Sequence, residues 1–184
     1  MRKIVVSEGV TLDGVFDAET MGQWVTPFQS DERNACVRES ILAADALVLG
    51  RKTYDTYAWF YPNQKKNEYG IADKMNSMPK FVATSTPLQV QWKNATVIQG
   101  NAVDAIGKLK QQPGQDILIM GSATLVQSLM PAGLIDEYNI LVHPAVMGSG
   151  RRFFKDGTGL SRLKLLESRM LPLGVIYLRY ATAR

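Results

Sequence analysis

Ala46-Leu47-Val48-Leu49-Gly50-Arg51-Lys52-Thr53 and Ile117-Leu118-Ile119-Met120-Gly121-Ser122-Ala123-Thr124 follow one plan. Each begins as a short apolar run of buried-strand type and stops at a glycine. Two cations and a hydroxyl follow the first glycine, while small residues opening a helical pattern follow the second. Backbone N–H groups freed at a helix N-terminus bind phosphate, and the helix dipole adds to that pull. Glycine permits a sharp bend and lets a ligand come close to the backbone. Either junction alone is equally well an ordinary turn. Together they predict a phosphate-rich cofactor lying across neighbouring strand ends.

Outward from these junctions the chain alternates strand and helix. Lys3 to Ser7 reads as a first strand, followed by a loop punctuated by Gly9, Gly14 and Gly22. A helix begins near Asp31, capped by Ser30 or Asp31, with Val37, Ile41 and Ala44 on one face. After the first junction a short helix starts near Arg51. The polar segment from Trp59 to Met78 reads as a long surface loop with at most one helical turn, a common place for a substrate lid. Lys80 to Ala83 and Thr96 to Ile98 are strands, and Val103, Ile106 and Leu109 mark a helix stopped by Pro113-Gly114. The second junction leads into a helix through Leu125, Val126, Leu129 and Met130. This order predicts an α/β fold with a mostly parallel sheet and helices on both faces. Tyr138 to Val142, Leu163 to Ser168 and Val175 to Tyr180 form the last strands. Leu171-Pro172-Leu173-Gly174 suits a type I turn, so an antiparallel hairpin closes one edge.

The 184 residues fit one domain spanning 1–184, with 46% hydrophobic and 21% charged residues as in ordinary globular proteins. The net charge of +4 is spread along the chain, with no basic stripe or aromatic platform, which argues against nucleic acid. Cys36 is the single cysteine, which precludes an internal disulfide and suits a reducing compartment. With His143 the only histidine, an all-protein zinc site is not expected. No apolar run approaches the roughly 20 residues of a membrane helix, and the N-terminal run is too short for a signal peptide. A cytoplasmic location is expected.

Neither junction is a Gly-x-Gly-x-x-Gly fingerprint, and there is no P-loop. The chain instead resembles the dihydrofolate-reductase-like superfamily, and within it the riboflavin-biosynthesis pyrimidine reductase (RibD C-terminal domain) family in a stand-alone, single-domain form. Five segments carry the resemblance in order. They are Ser7 with Thr11-Leu12-Asp13-Gly14-Val15; Gly50-Arg51-Lys52-Thr53; Thr84-Ser85; Gly121-Ser122-Ala123-Thr124-Leu125; and Asp136-Glu137 to His143-Pro144 with Gly148-Ser149-Gly150-Arg151-Arg152-Phe153-Phe154. The resemblance implies a three-layer α/β/α fold and NADPH as cofactor.

It also implies roles. Arg51 meets the 2′-phosphate with Lys52 as a second cation, because the planar guanidinium fork makes bidentate phosphate contacts. Gly50 and Thr53 serve the pyrophosphate, as do Gly121, Ser122, Ala123, Thr124 and Leu125, while Thr84 and Ser85 add hydroxyls near the 2′-phosphate. The family has two glycines joined by a cis peptide where this chain has Gly121-Ser122. Two geometries are therefore open there: a cis bond retained with serine, or a trans turn that shifts the cofactor. Asp13 is the carboxylate candidate for catalysis, although Asp-Gly is also a common turn pair. Ser7, Trp59, His143 and Arg151 are candidates for substrate binding. His143 equally suits a packed structural role, Trp59 with Phe60 a loop anchor, and Arg151 with Arg152 the edge of a dimer. A homodimer is expected from the hairpin aromatics Tyr177 and Tyr180 and from Phe153 and Phe154 beside the two arginines.

The function implied is that of 5-amino-6-(5-phosphoribosylamino)uracil reductase, acting on a planar heterocycle, with no metal. Two alternatives stand. One is dihydrofolate reduction, which in the superfamily uses an acid on the first helix, where this chain offers Asp31. The other is an NADP-binding module with little turnover.

Overall fold

The computed structural model describes residues 1–64, 67 and 70–183. Its elements are β1 (Ile4–Thr11), α1 (Met21–Trp24), α2 (Asp31–Ala43), β2 (Ala44–Gly50), α3 (Arg51–Phe60), α4 (Ala72–Ser77), β3 (Lys80–Ala83), β4 (Ala95–Val97), α5 (Ala102–Gln111), β5 (Asp116–Ile119), α6 (Ala123–Leu129), β6 (Glu137–His143), β7 (Leu163–Met170) and β8 (Ile176–Thr182). They form an eight-stranded sheet of order β4-β3-β2-β5-β1-β6-β8-β7. The strands from β4 to β6 in that order are parallel, and β8 joins β6 and β7 antiparallel. The expected mostly parallel sheet with a C-terminal antiparallel hairpin is the one found.

Side-chain alternation along the strands divides the core in two. Ala46 and Val48, with Ile117 and Ile119, pack with Ile106 and Leu109 of α5 and Val126 and Leu129 of α6. Leu47 and Leu49, with Leu118 and Met120, face Ile41 of α2, Tyr54 and Ala58 of α3, and Met75 of α4. Both faces of the central strands are covered, which is why these strands read as continuous apolar runs. Ser30 caps α2, its Oγ accepting from Arg33 N at 3.1 Å.

Four expectations are corrected. β1 continues to Thr11, so Gly9 lies inside it; a Cβ there would sit 2.9 Å from His143 Cε1 on β6. Glycine here marks a close approach between strands rather than a loop. The segment after Trp59 is more ordered than a surface loop: Ile71, Ala72, Met75 and Met78 are buried around α4. Asn76 ties α4 down, donating to Tyr61 O at 3.1 Å and accepting from Trp92 Nε1 at 2.8 Å. The Lys65-Lys66 pair lies outside the described residues. The β7–β8 turn is not type I, because Leu173 has φ +60° and ψ 19°, the left-handed geometry that type I lacks. Phe153 and Tyr177 are core residues at 0% and 2% exposure. Among the described residues no helix is long and apolar enough to cross a membrane.

Candidate cofactor and substrate cleft

Parallel pairing of β2 with β5 brings the two glycine junctions side by side. Gly50 N donates to Gly121 O at 3.2 Å. A Cβ on Gly50 would fall on Ser122 Oγ, and one on Gly121 would fall on Thr53 Oγ1. Gly121 has φ +73°, and the Gly121–Ser122 peptide is cis, the first of the two geometries left open by the sequence. Ser122 Oγ accepts from Leu125 N at 3.3 Å and so caps α6. Ala123 and Leu125 turn their side chains into the core, which leaves Thr124 exposed.

A cleft of about 500 Å³ opens beside this junction. Lys52, Thr53, Gly121 and Ser122 line one part of it, and Phe16, Met21, Tyr57 and Met120 give it an apolar wall. Glu8, Asp17, Glu19, Asp55 and Arg151 supply charge. Glu8 rises from central strand β1, and its Oε1 accepts the Gly121 N–H. Burial pushes its carboxyl up to about 8, against the opposing effect of that hydrogen bond. The Tyr57 phenol is raised well above its ordinary range by burial, then by Tyr61 and Glu8.

Arg51 does not line the cleft itself but pairs with Asp55, which does. Its Nε donates to Asp55 Oδ2 at 2.7 Å, and its Nη1 to Thr86 Oγ1 at 2.8 Å and Pro87 O at 2.6 Å. Thr84 Oγ1 accepts from Thr86 N at 3.1 Å, and Ser85 is exposed beside it. Arg51 therefore meets the hydroxyl of Thr86, next to the Thr84-Ser85 pair. Asp55, which lines the cleft, has its Oδ1 buried with no hydrogen-bond partner.

Other candidates lie elsewhere. Asp13 accepts from Thr11 Oγ1 at 2.6 Å, Met147 N at 3.2 Å and Gly148 N at 2.8 Å, clasping the turn after β1 to the loop after β6. These bonds, Thr11's first, hold its carboxyl down to about 2. It does not line the cleft. His143 is fully buried between Trp24 and Phe28. Ser7 is buried within β1, and Trp59 is 69% exposed, away from the cleft. Arg151 does reach it. On α2, Cys36, Ser40 and Ile41 are buried, Arg33 is half-buried and bonded to His143, and Asp31 is exposed. No group of three or more His, Cys, Asp or Glu suited to a metal occurs among the described residues.

Sequence reading missed Glu8 and Tyr57. The available signal was a single charge inside the apolar run Ile4-Val5-Val6-Ser7-Glu8-Gly9-Val10, since a charge in a central strand is the informative exception.

The sheet order, with the glycine ends of β2 and β5 side by side, is that of a dihydrofolate-reductase-like fold. The fold matches dihydrofolate reductase from Enterococcus faecalis, solved with NADP(H), with a TM-score of 0.64 at 15% identity over 98% of this chain and 97% of that one. It also matches a putative riboflavin biosynthesis protein from Shewanella sp. PV-4, with a TM-score of 0.79 at 21% identity over 99% of both chains. More particularly, the chain belongs to the RibD C-terminal domain family, whose model matches residues 2–177. It is 32% identical over 178 residues to the uncharacterized protein YwjB of Bacillus subtilis (strain 168), covering 95% of each chain.

Proposed function

We propose that the protein is an NADPH-dependent reductase of the pyrimidine-reductase type, acting on a planar heterocycle such as 5-amino-6-(5-phosphoribosylamino)uracil. The observation carrying this reading is the row of groups along the junction. Arg51 with Thr84 and Thr86 stands at one end, the paired glycines at the centre, and the apolar wall of Phe16, Met21, Met120 and Tyr57 at the other. A dinucleotide phosphate presents the same sequence of charge, pyrophosphate and flat ring. Bound there, NADPH supplies the hydride. The chain's own part is to hold the 2′-phosphate at Arg51 and Lys52, to bring backbone amides to the pyrophosphate, and to exclude water from the inner cleft. Arg151, which lines the cleft, would meet an anionic group on the substrate.

Asp31, the acid that α2 offers for a pterin, is exposed and does not line the cleft, which disfavours dihydrofolate reduction. Titrating NADPH and following its oxidation with the pyrimidine substrate and with dihydrofolate decides among the readings. NADPH binding without oxidation by either leaves the non-catalytic module. Failure to bind NADPH defeats the proposal.

A homodimer belongs to the same proposal, now on different residues. Leu163, Leu165 and Met170 on edge strand β7 are 38%, 49% and 84% exposed, and they share a face with Ile176 and Tyr180 of β8. A second copy placed by a two-fold axis would cover both this face and the open edge.

A further inference from the structure

One backbone N–H, that of Gly121, stands at the centre of the junction, and the Glu8 carboxyl already holds it. We infer that an anionic dinucleotide enters this cleft only while Glu8 is protonated, so that cofactor binding and proton binding at Glu8 are coupled. The inference rests on the reading of the cleft as the NADPH site. Its basis is the placement of charge. Glu8, Asp17, Glu19 and Asp55 line the cleft against Lys52 and Arg151. With every carboxyl ionised the lining is net negative, which is the wrong sign for a pyrophosphate. Asp17 and Glu19 belong to the loop after β1, and Asp55 already has Arg51. Glu8 alone comes from the central strand and touches the turn.

The two protonation states of Glu8 act in opposite directions. As a carboxylate it retains the Gly121 amide and repels phosphate. As a neutral acid it accepts that N–H at Oε1 and presents an Oε2–H donor, so it attracts the same anion. The surroundings favour the neutral form. Tyr57 faces it from α3 and is itself held neutral, and Arg33 of α2 is directed to His143 rather than to Glu8. The cations nearest the cleft, Lys52 and Arg151, belong to its lining and make no ion pair with Glu8. Burial keeps the proton on Glu8 up to about pH 8, so the coupling shows on the alkaline side.

The test is NADPH and NADH affinity from pH 7 to 9.5, followed by nicotinamide fluorescence, for the wild type and Glu8→Gln. The 2′-phosphate loses its second proton near pH 6 and adds no slope in this range. Wild-type affinity for both nucleotides should fall above about pH 8, approaching tenfold per pH unit, while Glu8→Gln stays nearly flat. Calorimetry of the wild type at pH 8.5 in buffers of different ionisation enthalpy should show proton uptake on binding, and it needs no variant. Flat wild-type affinity with no proton uptake overturns the coupling and leaves the cofactor reading standing. No binding of either nucleotide at any pH overturns both.

Discussion

Arg33 Nε on α2 donates to Nε2 of His143 at the end of β6, at 3.3 Å. That bond settles the tautomer: Nδ1 must carry the proton and donates it to Val10 O at 3.2 Å. Burial first, and the Arg33 charge among the lesser causes, lower the imidazole's affinity for a proton. The unfolded imidazole protonates near pH 6.5, so below that pH the unfolded state binds more protons than the native one. Stability should therefore fall as pH drops through about 6.5, in urea melts between pH 5 and 8. His143→Ala should lose about 1–3 kcal/mol from the unpaired Arg33 and Val10 groups and remove that slope. NADPH affinity of the folded variant should be unchanged, since the ring lies outside the cleft. A large loss of affinity with normal stability would restore His143 to the site.

Arg51→Ala should weaken NADPH binding at least tenfold and leave NADH nearly untouched. A charge-assisted phosphate bond contributes about 1.5–3 kcal/mol. The lost Asp55 pair is partly exposed and contributes at most about 0.5 kcal/mol to stability. Paired affinity measurements on both nucleotides make the comparison. Equal affinity of the wild type for the two would remove Arg51 from the cofactor site.

Asp13→Ala separates a clasp from a catalyst. Its carboxyl titrates lower in the native state, at about 2, than the ordinary 3.8. Its contribution is present above pH 3.8 and disappears as pH falls toward 2. The variant should melt earlier at pH 7 and converge on the wild type in strong acid. Lost turnover with an unchanged melting temperature would instead make Asp13 catalytic.

Lys80 on β3 is fully buried, with Nζ donating to Asn76 O at 2.8 Å and Lys93 O at 2.9 Å and lying 4.2 Å from the Trp92 ring centroid. Burial, and then Lys93, pull its ammonium down to about 8. Between about pH 8 and 10.5 the unfolded chain binds the extra proton, so stability should rise across that window by on the order of 2–3 kcal/mol. Lys80→Met should abolish the rise. Chemical denaturation at pH 8 and 10 reads the difference.

Sedimentation at micromolar concentration should give twice the 20.4 kDa of one chain. Leu165→Arg on β7 should return it to one chain without lowering the melting temperature of the monomer, because Leu165 is 49% exposed. A monomeric wild type across that range removes the dimer.

Local signals sufficed for much of this protein. The apolar runs of β2 and β5, the glycines ending them, and Ser30 before α2 are read within a few residues, since strand alternation and capping act at short range. They sufficed for the fold class and for the two junctions. Tertiary pairing alone decided which groups those junctions meet. β1 inserts between β5 and β6, and that insertion carries Glu8 to an amide 113 positions away. The same insertion brings His143 against the bare face of Gly9. In the sequence Asp13 is a catalytic candidate through the family resemblance of its segment, and His143 suits either a substrate or a packed structural role. The fold gave Asp13 the amides of Met147 and Gly148, and His143 the Val10 carbonyl and the Arg33 guanidinium. Hydrogen-bond partners and burial are long-range properties, set by sheet order, and these determine whether a titratable side chain works in the cleft or holds the scaffold together.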